Sequence, residues 1–133
     1  MDAGATGVVQ GVDFVFLWTT DFEQAAGFYV DVLGLSRAPT YRGHGGEFET
    51  DGFTISMLEA DKVGMPFEAA TTPIAFRVDD VAARRAELEA RGIEFMGEIV
   101  DSGVCHQAYF ADPDGNKLIL HHRYATNLDG PDR

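Results

Sequence analysis

Three aromatic residues near the start of the chain alternate along one short segment and are the first candidates for ligand contact. Successive side chains of a strand point to opposite faces, so Phe14, Phe16 and Trp18 share one face. Their rings are suited to stacking a planar ligand or holding a cation. Arg77 and His121 are suited to fixing a carbonyl or a carboxylate. The alternative is that the three rings only fill the core.

The histidines and the single cysteine offer further options. His121 and His122 are neighbours and point to opposite faces of a strand, so they cannot chelate one metal together. A pair of His106 and His121 on adjacent strands is an alternative metal site, and His121 alone is an alternative general base. Tyr109 either polarises a carbonyl through its hydroxyl or packs within its strand. Cys105 is expected to be a small buried thiol rather than half of a Cys–His dyad.

The elements that must position these residues occur twice. Asp112-Pro113-Asp114-Gly115 is a turn signal between two apolar segments, and Asp51-Gly52 forms a weaker copy 63 positions earlier. Each half reads as strand–helix–strand–strand–strand, which predicts an α+β fold of two tandem βαβββ modules. We place strands at 14–19, 36–41, 47–50, 54–59, 74–78, 93–100, 106–111 and 117–122, and helices at 22–33 and 81–91. The predicted organisation is an arm at 1–12, modules at 13–60 and 73–122, a linker at 61–72 and a tail at 123–133, all in one structural domain.

Composition excludes several classes of protein. A net charge of −12 over 133 residues argues against nucleic acid and anionic membranes as partners. The acidic surface either favours a cationic ligand or is simply solvated. One cysteine allows no internal disulfide, so a reducing, cytoplasmic setting is expected. The sequence shows neither a signal peptide nor an apolar stretch long enough to span a membrane.

Three segments resemble a known family. They are Thr20-Asp21 with Gly27 to Leu35, then Ile74 to Asp80, then Tyr109 to Asn116. Together they are similar to the vicinal oxygen chelate superfamily, also called the glyoxalase/bleomycin-resistance/extradiol-dioxygenase group, over residues 13–122. The resemblance implies two modules forming a curved mixed sheet around a cleft. It also implies a homodimer, with the cleft formed either within one chain or across two.

Enzymes of this family typically hold a divalent metal through four inward positions, usually His or Glu. Carried over by motif, these positions fall on Phe14, Ser56, Pro73 and Ile119. Three of these side chains have no lone pair, and a serine hydroxyl is a poor ligand for Zn²⁺ or Fe²⁺. We therefore expect no metal and no other cofactor, as in the members that bind drugs or other small molecules.

If position 14 points inward, alternation sorts the remaining strand residues into two sets. The outward set, expected to be covered by helices, is apolar: Val15, Leu17, Ile55, Met57, Ile74, Phe76, Val78, Leu118 and Leu120. The expected ligand-binding residues are Phe14, Phe16, Trp18, Ser56, Leu58, Arg77, Ile119 and His121. We expect a metal-independent protein that sequesters a drug or metabolite. The alternatives are a metal-free lyase, isomerase or hydrolase using His121 with Arg77, a metalloenzyme with unusual ligands, and a structural or regulatory subunit with a filled pocket.

Overall fold

A computed structural model describes residues 7–38 and 43–126. The chain divides into two compact units, residues 1–67 and residues 68–133. Each unit contains one four-stranded mixed sheet with a helix on one face. The α+β class and the repeated order of elements predicted from the sequence are therefore confirmed.

The first unit runs β1 (Val15–Thr19), α1 (Phe22–Ala26), a π-helical segment (Gly27–Val32), β2 (Ser36–Arg37), β3 (Gly45–Thr50) and β4 (Phe53–Glu59). A 3₁₀ turn at Ala60–Val63 follows. The sheet order is β1-β4-β3-β2, with β1 parallel to β4 and the other pairs antiparallel.

The second unit runs β5 (Ile74–Arg77), α2 (Val81–Ala90), β6 (Met96–Asp101), β7 (Cys105–Ala111) and β8 (Lys117–Arg123). Its order, β5-β8-β7-β6, matches that of the first sheet, and β5 runs parallel to β8. No helix in the two described ranges is long and apolar enough to cross a membrane.

Both α-helices begin with an aspartate N-cap. The side chains of Asp21 and Asp80 accept hydrogen bonds from the backbone N–H groups of Gln24 (3.1 Å) and Ala83 (3.0 Å). Each satisfies a donor that the first turn of the helix leaves unpaired. In the first unit a second carboxylate assists, because Glu59 Oε2 accepts the Phe22 N–H at 2.7 Å.

The core of each unit lies between the helix and the sheet. In the first unit, Phe48 stacks with Phe22 and Tyr29, at ring-centroid distances of 5.4 and 5.2 Å. In the second unit, Phe110 packs against Phe95 at 4.9 Å. Further buried apolar side chains in these cores are Val81 and Leu88 of α2 and, from the strands, Leu17, Ile55, Met57, Leu118 and Leu120. Among the described residues of each unit, the α-helix packs on this one face of the sheet, and the opposite face is called helix-free below.

The turn that joins β7 to β8 is built around a buried polar pair. Asp112 Oδ1 accepts the N–H groups of Asp114 and Asn116, both at 2.9 Å, and Gly115 has a φ of +89°. Asn116 donates its amide to Asp112 Oδ2 at 2.8 Å and accepts the Ala70 N–H at 2.7 Å. The turn therefore also holds the segment that leads into β5.

The structure differs from the sequence expectation in detail. The helix expected at 22–33 is α-helical only to Ala26 and continues as a π-helical segment, in which the Leu33 N–H bonds to the Phe28 carbonyl at 3.0 Å. The strand expected at 36–41 is two residues long in the described region, and residues 39–41 lie outside it. Likewise β8 continues through Arg123, which was assigned to the tail.

Candidate functional site

The helix-free face of the first sheet presents an aromatic surface. Phe16 and Trp18 project from β1 on this face, with their rings edge to face at 4.7 Å and 89°. Phe16 is 36% exposed and Phe14, just before β1, is 50% exposed, whereas Trp18 is half-buried. Large apolar side chains left this open on a sheet face commonly mark a binding surface.

Strand pairing places polar and small residues beside these rings. Phe16 pairs with Ser56 of β4, which pairs in turn with Glu47 of β3. Ser56 is only 5% exposed. In the next row, Trp18 pairs with Leu58. The sheet thus offers aromatic faces beside one hydroxyl and one carboxylate.

Gly45 of β3 pairs with Leu58 and completes the row that begins at Trp18, and there is no room for a side chain at this position. A Cβ atom added there would overlap the Met57 carbonyl oxygen. It would also lie 2.8 Å from the Met57 carbonyl carbon and 2.9 Å from Leu58 Cα. Only glycine allows β3 to approach β4 this closely, so Gly45 fixes the strand spacing beside Trp18.

The helix-free face of the second sheet is polar along one row. Arg77 of β5 pairs with His121 of β8, and His121 pairs with Gln107 of β7. The neighbouring row is Ala75, Ile119 and Tyr109. Arg77 and His121, expected from the sequence to act together, are therefore adjacent on one face.

Gln107 is a site residue that the sequence reasoning missed. The Tyr109 hydroxyl donates to Gln107 Oε1 at 2.8 Å, and Gln107 Nε2 donates to Cys105 Sγ at 3.7 Å. Its amide is thus held at both ends beside His121. The sequence pattern that could have indicated Gln107 is the alternation of Cys105, Gln107 and Tyr109, which places all three on one face of the strand.

The other histidines lie elsewhere. His106 pairs with His122, on the face opposite to His121, so the His106–His121 metal site considered above is wrong. The His122 ring Nδ1 lies 3.1 Å from the Val78 carbonyl oxygen. Cys105 is buried, as expected, and its sulfur lies 3.1 Å from Ser102 Oγ.

An exposed cluster surrounds His106 at the end of the second sheet. Asp101 accepts a hydrogen bond from the Tyr124 hydroxyl at 2.6 Å and lies 3.4 Å from His106 Nε2. The Tyr124 bond lowers the pKa of the Asp101 carboxyl and raises the pKa of the Tyr124 hydroxyl. This cluster lies on the opposite face from Arg77 and His121 and connects the segment after β8 to β6.

The four positions that the resemblance assigns to metal ligands do not fit a metal here. Phe14, Pro73 and Ile119 carry no donor atom, and Ser56 alone supplies a weak oxygen. Across residues 7–38 and 43–126, no cluster of at least three His, Cys, Asp or Glu side chains is arranged for metal binding.

Comparison with known proteins identifies the family. The model of the Glyoxalase/Bleomycin resistance protein/Dioxygenase superfamily matches residues 11–120. The chain therefore belongs to this superfamily, and the resemblance drawn from its motifs is confirmed.

Individual relatives agree with this assignment. Glutathione transferase FosA of Serratia marcescens is 29% identical over 119 residues, which cover 86% of this chain and 82% of FosA. TnmS3, an antibiotic binding protein from Streptomyces sp. CB03234, is 25% identical with a TM-score of 0.70, covering 88% of this chain and 98% of its own. A glyoxalase/bleomycin resistance protein/dioxygenase from Nocardioides, at 20% identity, has a TM-score of 0.73 over 96% of this chain and 93% of its own, which shows the shared fold.

Proposed function

We propose that this protein binds a small planar molecule without a metal and sequesters it, as a drug- or metabolite-binding member of its superfamily. The observation that carries the proposal is the aromatic row on the helix-free face of the first sheet. Phe14 and Phe16 leave ring surface in solvent beside the half-buried Trp18. Covering that surface with a flat apolar ligand is favourable by the hydrophobic effect and by ring stacking.

The donor chemistry supports metal independence. The four carried-over positions supply one hydroxyl among them, whereas catalytic metal sites use three protein ligands with nitrogen, sulfur or carboxylate donors. Binding by stacking and hydrogen bonding breaks no bond and requires no such site.

The named activities of relatives support a binding role in two ways. TnmS3 is an antibiotic binding protein, and the superfamily description includes bleomycin resistance. We extend from these a role in sequestering an antibiotic-like compound. That the protein forms homodimers and acts in the cytoplasm is part of the same proposal and rests on the family resemblance and the single cysteine.

Residue roles follow from the two helix-free faces. On the first sheet, the rings of Phe14, Phe16 and Trp18 stack on the ligand. Ser56 and Leu58, on the neighbouring strand, form the surface beside these rings. Described by itself, the second sheet offers a separate polar surface, on which Arg77 and His121 lie beside the apolar Ile119.

The direct test is titration with N-phenyl-1-naphthylamine, a neutral planar probe whose emission reports an apolar environment. Wild-type protein should bind it saturably, and Trp18→Ala should weaken binding by about tenfold or more, equivalent to about 1.4 kcal/mol. Tyr124→Ala is the matched control. It removes an exposed aromatic ring of the His106 cluster, outside the proposed binding surface, and should leave the affinity for the probe unchanged. Equal affinity in wild type and Trp18→Ala would contradict the proposal.

An enzyme is the second candidate, favoured by the adjacency of Arg77 and His121. A histidine beside a guanidinium is a reasonable general base next to an anion-stabilising group. The FosA relative is a transferase by name. Turnover of a tested substrate that disappears in His121→Ala, while binding of the naphthylamine probe persists, would favour the enzyme over the binder.

A further inference from the structure

We propose that His106 and His122 form a chelating site for a divalent transition-metal ion, on the same face of the second sheet as α2. The two residues are directly paired on β7 and β8, so their side chains lie next to each other on one face. All the groups involved belong to the second unit. The site is separate from the four positions that the family resemblance assigns to metal ligands, and it goes beyond the proposed binding of a planar molecule.

Cross-strand pairing sets the spacing of the two rings. Directly opposite residues of an antiparallel pair have Cβ atoms about 4.5–5.5 Å apart. A metal ion with nitrogen ligands at about 2.0–2.1 Å holds those nitrogens about 3 Å from each other. Two imidazoles at this Cβ spacing can therefore share one ion without movement of the backbone.

The partner of each ring determines which nitrogen is available to a metal. His122 Nδ1 lies 3.1 Å from the Val78 carbonyl oxygen, which can only accept, so the neutral ring carries its proton on Nδ1 and keeps the lone pair of Nε2. His106 Nε2 lies 3.4 Å from Asp101 Oδ2, and a carboxylate also only accepts, so Nδ1 of this ring is the nitrogen with a lone pair. Metal-binding histidines typically have a carbonyl or carboxylate behind them in this way.

The two remaining nitrogens are open within residues 7–38 and 43–126. The side-chain contacts of His106 there are Asp101 and the ring of Tyr124, at a centroid distance of 4.7 Å. The polar contact of the His122 ring is the Val78 carbonyl. The His106 side chain is 41% exposed and His122 is half-buried, so an ion from solvent can reach both rings.

Asp101 is itself held in place behind His106. Its Oδ1 accepts hydrogen bonds from the Tyr124 hydroxyl at 2.6 Å and from the Gly103 N–H at 2.9 Å, while Oδ2 is the oxygen nearest to the imidazole. A fixed carboxylate at this position orients the ring and makes its other nitrogen a stronger ligand.

The charges near the pair favour a cation. Arg123, the neighbour of His122, lies on the opposite face of β8. Arg84 and Arg85 of α2 are both paired with carboxylates. The net charge of −12 adds long-range attraction for a divalent cation. The other positions of β7 and β8 on this face are uncharged: Ala108, Phe110, Leu118 and Leu120.

Imidazole ligands select the kind of ion. They suit Cu²⁺, Ni²⁺ and Zn²⁺, whereas Mg²⁺ and Ca²⁺ prefer oxygen ligands. Two protein ligands leave the other coordination positions to water, so the ion is held with a Kd of the order of 10–100 μM, far more weakly than in a four-ligand zinc site. Such an ion dissociates on dialysis, and the metal-independent binding proposed above does not depend on it.

The test is calorimetric titration of Ni²⁺ into protein without an affinity tag. Wild-type protein should bind one Ni²⁺ per chain. His106→Gln and His122→Gln should each weaken that binding by about tenfold or more, because a single imidazole cannot chelate. The matched controls are His44→Gln, at an exposed position of the first unit, and His121→Gln, on the opposite face of β8, and both should leave the affinity for Ni²⁺ unchanged.

A second measurement uses wild-type protein and needs no variant. Cu²⁺ is paramagnetic and broadens the NMR signals of nuclei close to it. Substoichiometric Cu²⁺ should broaden the amide signals of residues 105–107 and 121–123 before those of residues 43–47. Circular dichroism shows whether each variant in the calorimetric test is folded.

The outcomes bear on this site alone. Affinity for Ni²⁺ that is unchanged in His106→Gln and His122→Gln, or that is lost in either control, would overturn the proposal. Failure to bind at about 1 mM Ni²⁺, far above the expected Kd, would also overturn it. Binding of N-phenyl-1-naphthylamine is measured separately, so failure of the nickel site leaves the proposed function standing, and failure of the probe to bind leaves the nickel site standing.

Discussion

Replacing Gly45 by alanine should destabilise the first unit by an amount that the backbone geometry sets. The added Cβ would overlap the Met57 carbonyl oxygen and lie within 2.9 Å of Leu58 Cα. These are main-chain atoms of β4, so no side-chain rotation relieves the overlap. Strand β3 must move away from its partner, which strains or breaks the ladder between Gly45 and Leu58.

The expected loss of stability is about 3 kcal/mol, at the upper end of the range for overpacking against a rigid neighbour. For a chain of this length, that corresponds to a fall in Tm of roughly 10 °C. Thermal unfolding followed by circular dichroism measures it, with urea unfolding as an independent estimate of the free energy.

Gly27→Ala is the matched control because the same substitution should have the opposite sign. Gly27 has helical backbone angles of φ −57° and ψ −41°, and the nearest atom to an added Cβ is Asp31 Oδ2 at 4.0 Å. Alanine there should stabilise by about 0.4–1 kcal/mol. A Gly45→Ala protein that melts within about 2 °C of wild type would refute the steric argument.

Three further predictions concern buried groups. Asn116→Ala should cost about 2–3 kcal/mol in urea unfolding, because it removes the buried amide that donates to Asp112 Oδ2 and accepts from the Ala70 N–H; an unchanged midpoint would contradict this. The Phe22 N–H and Lys62 lower the pKa of the Glu59 carboxyl from 4.5. The stability that ionised Glu59 gives to the folded protein is therefore present above pH 4.5 and is lost as pH falls through the folded-state pKa. Glu59→Gln should therefore lower stability by about 1 kcal/mol at pH 7 and by less at pH 3, and an equal difference at both pH values would rule out the assignment. Cys105 should react with a disulfide reagent only when the protein is denatured, because it is buried; rapid labelling of native protein would show otherwise.

Much of the fold was predictable from local pattern. The turn at Asp112 to Gly115 and the burial of the apolar positions on β1, β4 and β8 depend on residues close in sequence, and both were predicted correctly. The change of the first helix to π geometry after Ala26 was not predicted, because the same apolar spacing fits either kind of helix over one or two turns.

The candidate site was less predictable because it depends on register between strands. Alternation shows which residues of β8 share a face with His121. Only the pairing of β7 with β8 shows that Gln107, rather than His106, lies beside it. The loop lengths that set this register carry no strong sequence signal here.

The most direct test of the central claim is the affinity for N-phenyl-1-naphthylamine, measured before and after EDTA treatment, on protein whose bound metal has been quantified. Metal-independent binding predicts saturable binding of the same affinity in both samples, without stoichiometric metal, and a loss of about tenfold in Trp18→Ala. Binding that disappears with EDTA and returns when Zn²⁺, Mn²⁺, Fe²⁺ or Ni²⁺ is restored would contradict it.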